Sequence, residues 1–324
     1  MSTELGTAAG ATRSGDSPDG VSFRPATPTE LRVCAEIWRD SINDYLAPRN
    51  VPLIPDDLGS ITRLYSHLQA TDPDSFVVAT RASEAGDTAS PDHIVGFGVA
   101  VQRDEVWFLS MLFVRPGAQG RGLGRALFEQ VLPETRDRPL ATATDSMQPI
   151  SNALYASYGL VPRMPLLSLV GRPRRDSELP GLPSGVVSSR MAAGDTVAVD
   201  AVDDIALGYR HREDHAFIVA QGRQGFLYRD AGGSVLGYGY TSDVGRVGPA
   251  AVRDPALLWP VVAHLLTAVE PRGASAVWAP GHATDVVVGL LRAGFRIEDY
   301  PILLCWSKPF ADFSRYVPIS PGLL

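Results

Sequence analysis

The chain has 324 residues, 29 basic and 36 acidic, for a formal net charge of −7; that length suits two domains of about 150 residues each. Hydrophobic residues at 45% and charged residues at 20% supply enough apolar surface for a sizeable core and exclude global disorder. The acidic balance argues against a nucleic-acid binder that works by neutralising phosphates, and no run reaches the roughly 18 apolar residues of a membrane span.

Residues 1–20 are rich in Ser, Thr, Gly, Ala and Asp, lack the apolar stretch of a signal peptide and read as a disordered tail. Cys34 and Cys305 fall one in each half, which fits buried reduced thiols in a cytoplasmic chain. Lys308 is the one lysine among the basic residues, a bias that points to a GC-rich bacterial genome.

In chain order, residues 21–24 read as a strand. Thr27-Pro28-Thr29-Glu30 is a capping box with proline at the first helical position, opening a helix towards Tyr45. A second helix covers 58–70, a strand 75–81 and a polar loop 82–92. Residues 94–102 and 105–114 form an antiparallel pair joined through Arg103-Asp104. A glycine-rich turn leads into a helix over 122–132, then a strand at 140–144, a helix at 149–157 and a strand at 164–170. The Pro-rich, charged stretch 173–184 reads as a linker. Beyond it come strands at 225–229, 234–240 and 246–252, a helix at 255–269, a strand at 274–279, a helix at 283–293 and a strand at 302–308. The apolar, Pro-broken segment 316–324 reads as a docked, extended tail.

The two series correspond. Val114-Arg115-Pro116 before an apolar helix matches Val252-Arg253-Asp254-Pro255 before another. Tyr158-Gly159-Leu160 leading to Pro165-Leu166-Leu167 matches Ala293-Gly294-Phe295 leading to Pro301-Ile302-Leu303. This is an internal duplication of one α/β unit.

Chemistry concentrates in residues 109–127, LSMLFVRPGAQGRGLGRAL. A buried strand ends at Val114 and passes through Gln119-Gly120-Arg121-Gly122-Leu123-Gly124 into an amphipathic helix. Glycines let successive N–H groups converge, and the helix start adds a positive dipole end, which together hold a diphosphate. A P-loop would need Gly-Lys-Ser/Thr, and a dinucleotide fingerprint would need a third glycine where Arg125 or Leu127 stands.

The spacing Gln119-x-x-Gly122-x-Gly124 resembles the Q/R-x-x-G-x-G/A signature of the GCN5-related N-acetyltransferase (GNAT) superfamily. The preceding LFVRP and the later SNALYASYGLVP at 151–162 are similar to GNAT segments in the expected order. The resemblance implies an α/β fold of two GNAT-like (acyl-CoA N-acyltransferase) modules, each a mixed, mostly antiparallel sheet flanked by helices. They would span 21–172 and 185–324. It further implies an acetyl-CoA-dependent N-acetyltransferase acting on a primary amine, small molecule or lysine, through a ternary complex without a metal. Leu112, Phe113 and Val114 would line pantetheine, Gly120, Arg121, Gly122, Leu123, Gly124 and Arg125 would cradle the pyrophosphate with Gln119, and Asn152 would contact the cofactor or merely cap its helix. Tyr155 would donate a proton to the departing thiolate, as a phenol can when charge accumulates on sulfur; the bland alternative is a core tyrosine. Asp104, Glu105 and Ser110 are the candidates for the base, Glu105 foremost, unless it is a solvated hairpin-end charge.

The second half carries Arg253-Asp254-Pro255-Ala256-Leu257 in place of the glycine loop and Leu290 in place of Tyr155, so it reads as a degenerate module. His211-Arg-Glu-Asp-His215 places two histidines at i and i+4, but the glutamate is misplaced for a zinc-protease motif and no third ligand is evident; a charged helix end or loop is the expectation, with no metal. Arg210, Asp214 and His215 are alternatively residues of an acceptor pocket. Two rival functions stand beside the enzyme: a silent acyl-CoA sensor and a protein lysine acetyltransferase. The expected partners are amine substrates rather than nucleic acid or membrane, with the chain a monomer or homodimer.

Overall fold

A computed structural model describes residues 20–49, 51–81, 93–174 and 179–324. The expected tail, apart from Gly20, and the expected loop 82–92 lie outside the described residues. Among the described residues no helix is long and apolar enough to cross a membrane. The chain divides into two compact units, 1–101 with 111–134, and 102–110 with 135–324.

In the first unit, strand β1 (Val21–Pro25) is followed by helices α1 (Leu31–Leu46) and α2 (Gly59–Thr71), then β2 (Phe76–Arg81), β3 (Ile94–Arg103), β4 (Val106–Val114) and α3 (Leu123–Val131). β1 pairs antiparallel with β2, and β2 with β3. α1 buries Leu31, Cys34, Ala35 and Ile37, and α2 buries Tyr65 and Leu68, the spacing of one apolar helical face. Tyr65 meets the rings of Phe76 and Phe97 edge-on at 5.7 and 5.4 Å, and Phe97 stacks on Phe113 at 5.8 Å.

The capping box holds. Glu30 accepts from the backbone N–H of Thr27 at 2.8 Å and from its hydroxyl at 2.9 Å, while Arg24 clamps both carboxylate oxygens at 2.5 and 2.9 Å. The Arg24 guanidinium and these Thr27 donors outweigh burial and hold the Glu30 carboxyl at about 2. A carboxyl lowered in the folded state binds fewer protons there than when unfolded, so its stabilisation is complete above pH ~4.5 and drains away as pH falls towards 2. Denaturant unfolding of Glu30→Gln at pH 7 is expected to show a loss of roughly 2–3 kcal/mol, shrinking below pH 4. An equal gap at pH 7 and pH 3 would refute this assignment.

The second unit continues with β5 (Leu140–Asp145), α4 (Pro149–Ser157), β6 (Val161–Gly171), β7 (Val187–Arg190), α5 (Thr196–Ala206) and α6 (Arg212–Ala220). Then follow β8 (Gln224–Arg229), β9 (Val235–Thr241), β10 (Arg246–Val252), α7 (Leu258–Ala268), β11 (Ser275–Pro280), α8 (Thr284–Arg292), β12 (Arg296–Trp306) and β13 (Tyr316–Val317). Its strands run β5-β12-β6-β11-β10-β9-β8-β7, with the start of β4 beside β5 and β13 on β10. Parallel pairing joins Trp107, Phe108 and Leu109 to β5, and β10 to β11; the other registers are antiparallel. α7 supplies Val261, Val262, Leu265 and Leu266 to the core.

The duplicated halves exchange their last strands. Each ends in strand–helix–strand, β5-α4-β6 and β11-α8-β12, and each such unit leaves a gap one strand wide. β12 fills the gap between β5 and β6, and β6 fills the gap between β12 and β11. The equivalent strands β6 and β12 therefore pair with each other, antiparallel, as the matching elements of a two-fold dimer would.

Three sequence expectations change. β12 begins at Arg296, not 302, because Pro301 falls in a register shift between Glu298 and Ile302, where a missing N–H costs no ladder bond. Arg103 ends a strand rather than forming the turn, which falls at Asp104-Glu105, with Asp104 at φ +45. β7, α5 and α6 occupy a stretch to which the sequence reading assigned no strand or regular helix. The C-terminal segment docks as expected: Tyr316, Val317, Ile319, Leu323 and Leu324 are buried. Both cysteines are free and buried.

Candidate functional site

The glycine-rich turn belongs to the first unit. β4 ends at Val114, whose carbonyl accepts from the Ser41 hydroxyl at 3.0 Å and from Gln119 Nε2 at 2.9 Å. Arg115 donates its backbone N–H to Val95 at 2.9 Å and its Nε to Ile94 at 2.8 Å, pinning the strand end to β3. A short 3-10 turn, Pro116–Ala118, follows. The strand and α3 approach β3 closely at Gly96, where a Cβ would stand 2.9 Å from the Phe113 carbonyl and 3.0 Å from Leu127 Cδ1.

Gly120 and Gly122 both adopt φ +78, the left-handed region that other residues enter at a cost. Gly122 caps α3, which buries Leu123, Leu127, Phe128 and Val131. The opposite side is open: a Cβ built on Gly120, Gly122 or Gly124 meets nothing within 4 Å. N–H groups in the first turn of α3 have no intrahelical acceptor, and Gly120, Arg121, Gly122 and Arg125 are exposed there. Leu112 and Phe113 are half-buried and Val114 is buried. An exposed turn with free space above its backbone and the positive end of a helix dipole has the chemistry of an anion cradle.

Asn152, Tyr155 and Glu105 belong to the second unit. Asn152 donates Nδ2 to the carbonyls of Asp145 and Gln148 at 2.9 and 2.8 Å, joining β5 to α4; its buried Oδ1 has no hydrogen-bond partner among the described residues. Tyr155 is buried, and its carbonyl ends α4 by accepting from Leu160. Burial, with the Cys305 thiol as a smaller influence, pushes the Tyr155 phenol above its ordinary range, so it is protonated at neutral pH. Tyr158 holds the Arg136 guanidinium 5.3 Å from its ring centre. Glu105 is exposed in the turn before β4. Of the other base candidates, Asp104 accepts from the Arg210 backbone at 2.7 Å and Ser110 donates to the Gly322 carbonyl at 2.5 Å.

The corresponding turn in the second half is closed by its own chain. Asp254 accepts from the Ala256 N–H at 3.0 Å, Leu257 donates to the Asp254 carbonyl at 2.9 Å, and Pro255 has no N–H. Leu290 is fully buried. A carboxylate occupies the donors that an anion would need.

His211-Arg-Glu-Asp-His215 is a charged helix end, as expected, with Arg212 and Glu213 exposed, but its other three side chains turn inward. It enters α6 with His211, Asp214 and His215 buried, and Asp203 on α5 joins the two histidines. Sequence reading missed Asp203 because α5 buries acids and exposes Val197 and Ile205, against the usual helical pattern. Two acids on the inward face of a Val/Ala helix, just before paired histidines, were the available signal.

Residues 37–160 match the family model described as the acetyltransferase (GNAT) family. No curated protein matches significantly. A proposed acetyltransferase from Pyrococcus horikoshii superposes with a TM-score of 0.72 at 15% identity, covering 96% of this chain and 99% of that one. A GCN5-related N-acetyltransferase from Sphaerobacter thermophilus gives 0.59 at 16%, with 92% and 99% covered. A tandem GNAT protein from the clavulanic acid biosynthesis pathway gives 0.53 at 19%, with 89% and 99% covered. At these identities the structural likeness concerns the fold, which is that of tandem GNAT proteins.

Proposed function

From a chain whose residues 37–160 match the acetyltransferase (GNAT) family model, we infer an N-acyltransferase that moves an acetyl group from acetyl-CoA to a primary amine, in one ternary complex and without a metal in the reaction. The observation that carries this reading is the open turn at residues 120–124, with two left-handed glycines and unobstructed backbone at the start of α3. Acetyl-CoA supplies an activated thioester; the chain binds and orients it and handles the protons.

Gly120, Arg121, Gly122, Leu123, Gly124 and Arg125 hold the pyrophosphate through main-chain N–H groups, with Gln119 bracing the turn. Leu112, Phe113 and Val114 run beside pantetheine as an added strand would, and a backbone N–H there steadies the oxyanion formed on attack. The orphaned Oδ1 of Asn152 suits a pantetheine amide N–H. Tyr155, kept protonated by burial, gives its proton as charge builds on the leaving sulfur. Glu105 takes the amine's proton through solvent, in keeping with its exposure. The second sequence module, 185–324 beyond the linker 173–184, acts as scaffold for the first, 21–172, through the exchanged strands. The net charge of −7 favours a cationic acceptor without identifying it. A cytoplasmic location fits the two buried thiols.

Thiol release from acetyl-CoA with a panel of primary amines tests the reading. Wild type should release CoA in an amine-dependent manner, and Tyr155→Phe should lower kcat about 100-fold with KM for acetyl-CoA nearly unchanged. Binding without release from any amine or acceptor protein would make the chain a sensor. No binding at all would remove the site.

A further inference from the structure

Asp203 of α5 lies among groups that the acyl-transfer chemistry does not use. His215 Nε2 is 3.1 Å and His211 Nε2 3.4 Å from the same oxygen, Asp203 Oδ2. The ligand atoms of the three residues lie within 4.8 Å of one another, and Asp203 and His211 have no solvent exposure. A tetrahedral zinc ion with bonds of about 2.0–2.1 Å places neighbouring ligand atoms about 3.3 Å apart. The two nitrogen–oxygen spacings, 3.1 and 3.4 Å, match that edge.

The groups around this trio are arranged as the supports of metal ligands are. Tyr238 donates to the other carboxylate oxygen, Oδ1, at 2.6 Å, which leaves Oδ2 facing the imidazoles. His215 Nδ1 lies 3.1 Å from the Tyr240 hydroxyl. His211 Nδ1 is 3.7 Å from Asp214 Oδ2, and it has no hydrogen-bond partner among the described residues although it is buried. Arg103 holds Asp214 through two bonds of 2.8 Å. Each imidazole thus turns one nitrogen to the shared point; the other nitrogen of His215 is held by the Tyr240 hydroxyl, and that of His211 faces the Asp214 carboxylate.

We propose that Asp203, His211 and His215 bind one divalent transition-metal ion, with Zn2+ the best match to two imidazoles and a carboxylate. Tyr238, whose hydroxyl is 3.4 Å from His211 Nε2, is on hand as a fourth oxygen donor. The ion fastens α5 to the start of α6, beside the Arg212–Asp200 ion pair that joins the same helices. Its role is structural, apart from acyl transfer.

Full-length protein stripped with a chelator and titrated with ZnCl2 in a calorimeter should take up one equivalent, with micromolar or tighter affinity and a raised unfolding temperature. CoCl2 should give the visible absorption of a low-symmetry Co(II) site. His215→Gln should weaken Zn2+ uptake at least 100-fold and abolish the cobalt spectrum. Tyr240→Phe, a milder change, should weaken uptake about tenfold through loss of the group that orients His215. Folded, stripped wild type that takes up under a tenth of an equivalent of Zn2+ and gives no cobalt spectrum overturns the proposal. So does full uptake by a folded His211→Gln/His215→Gln variant. Because the wild-type titration needs no variant to fold, it decides the matter alone.

Discussion

Gly122→Glu is expected to weaken coenzyme A binding at least 100-fold while the protein stays folded. Two costs combine. A non-glycine residue at φ +78 pays about 1–2 kcal/mol, in free and bound protein alike, so this part appears in stability. The carboxylate adds repulsion against a diphosphate: at ~5 Å and an effective dielectric of ~20, one charge pair is worth about 3 kcal/mol, or more than two decades of affinity. Gly122→Ala separates the two, since its methyl enters space with no atom within 4 Å and carries no charge. It should lose about 1 kcal/mol of stability and less than tenfold in affinity. Gly124→Ala, in the first turn of α3 without a positive φ, should bind within threefold of wild type. Calorimetry with coenzyme A and a thermal melt for each variant checks all three. Unchanged binding by folded Gly122→Glu would place the diphosphate elsewhere.

That turn was legible because its signal is local: a strand ending at Val114, then small residues, then an apolar helical face at Leu123, Leu127 and Phe128. The capping box at Thr27 and Glu30 was legible for the same reason. The strand exchange was not. Residues 302–306 of β12 carry the same apolar run whichever strand they pair with, and pairing partners far apart in sequence leave no mark on local periodicity. Pro301 further disguised the strand's beginning. α5 hid its role by reversing the pattern, for Asp200 and Asp203 point inward only because Arg212 and the paired histidines receive them. Arg103 was hidden similarly: an arginine at a hairpin end reads as solvated until Asp214, 111 positions later, is placed against it.

The duplicated halves keep one scaffold and differ where backbone donors are exposed. Glycines leave the turn before α3 open, whereas Asp254 closes the equivalent turn before α7. The inward polar groups of the second half lie instead on α5, α6 and β9, where Tyr238 and Tyr240 stand two apart on one face of a strand. The two modules therefore place their polar groups on different elements of a common fold.

Arg103→Met should be the most destabilising surface-to-core charge removal in the second unit. Its guanidinium makes a two-bond pair with Asp214, and both side chains are buried, at 7% and 0% exposure. Methionine retains much of the apolar stem, so the loss reports mainly the charge. Removing one partner of a buried pair strands the other and typically costs about 3–5 kcal/mol, which for a unit of this size lowers the melting temperature by roughly 10 °C or more. Arg103→Met with Asp214→Leu removes both charges and should recover at least half of that loss, since a buried pair is worth far less than the penalty for breaking it. The cycle of four proteins in denaturant yields the coupling directly, with at least ~2 kcal/mol expected. A single variant within 1 kcal/mol of wild type would mean that water reaches Asp214 when Arg103 is gone, and that the hairpin end bearing Arg103 is not held by charge.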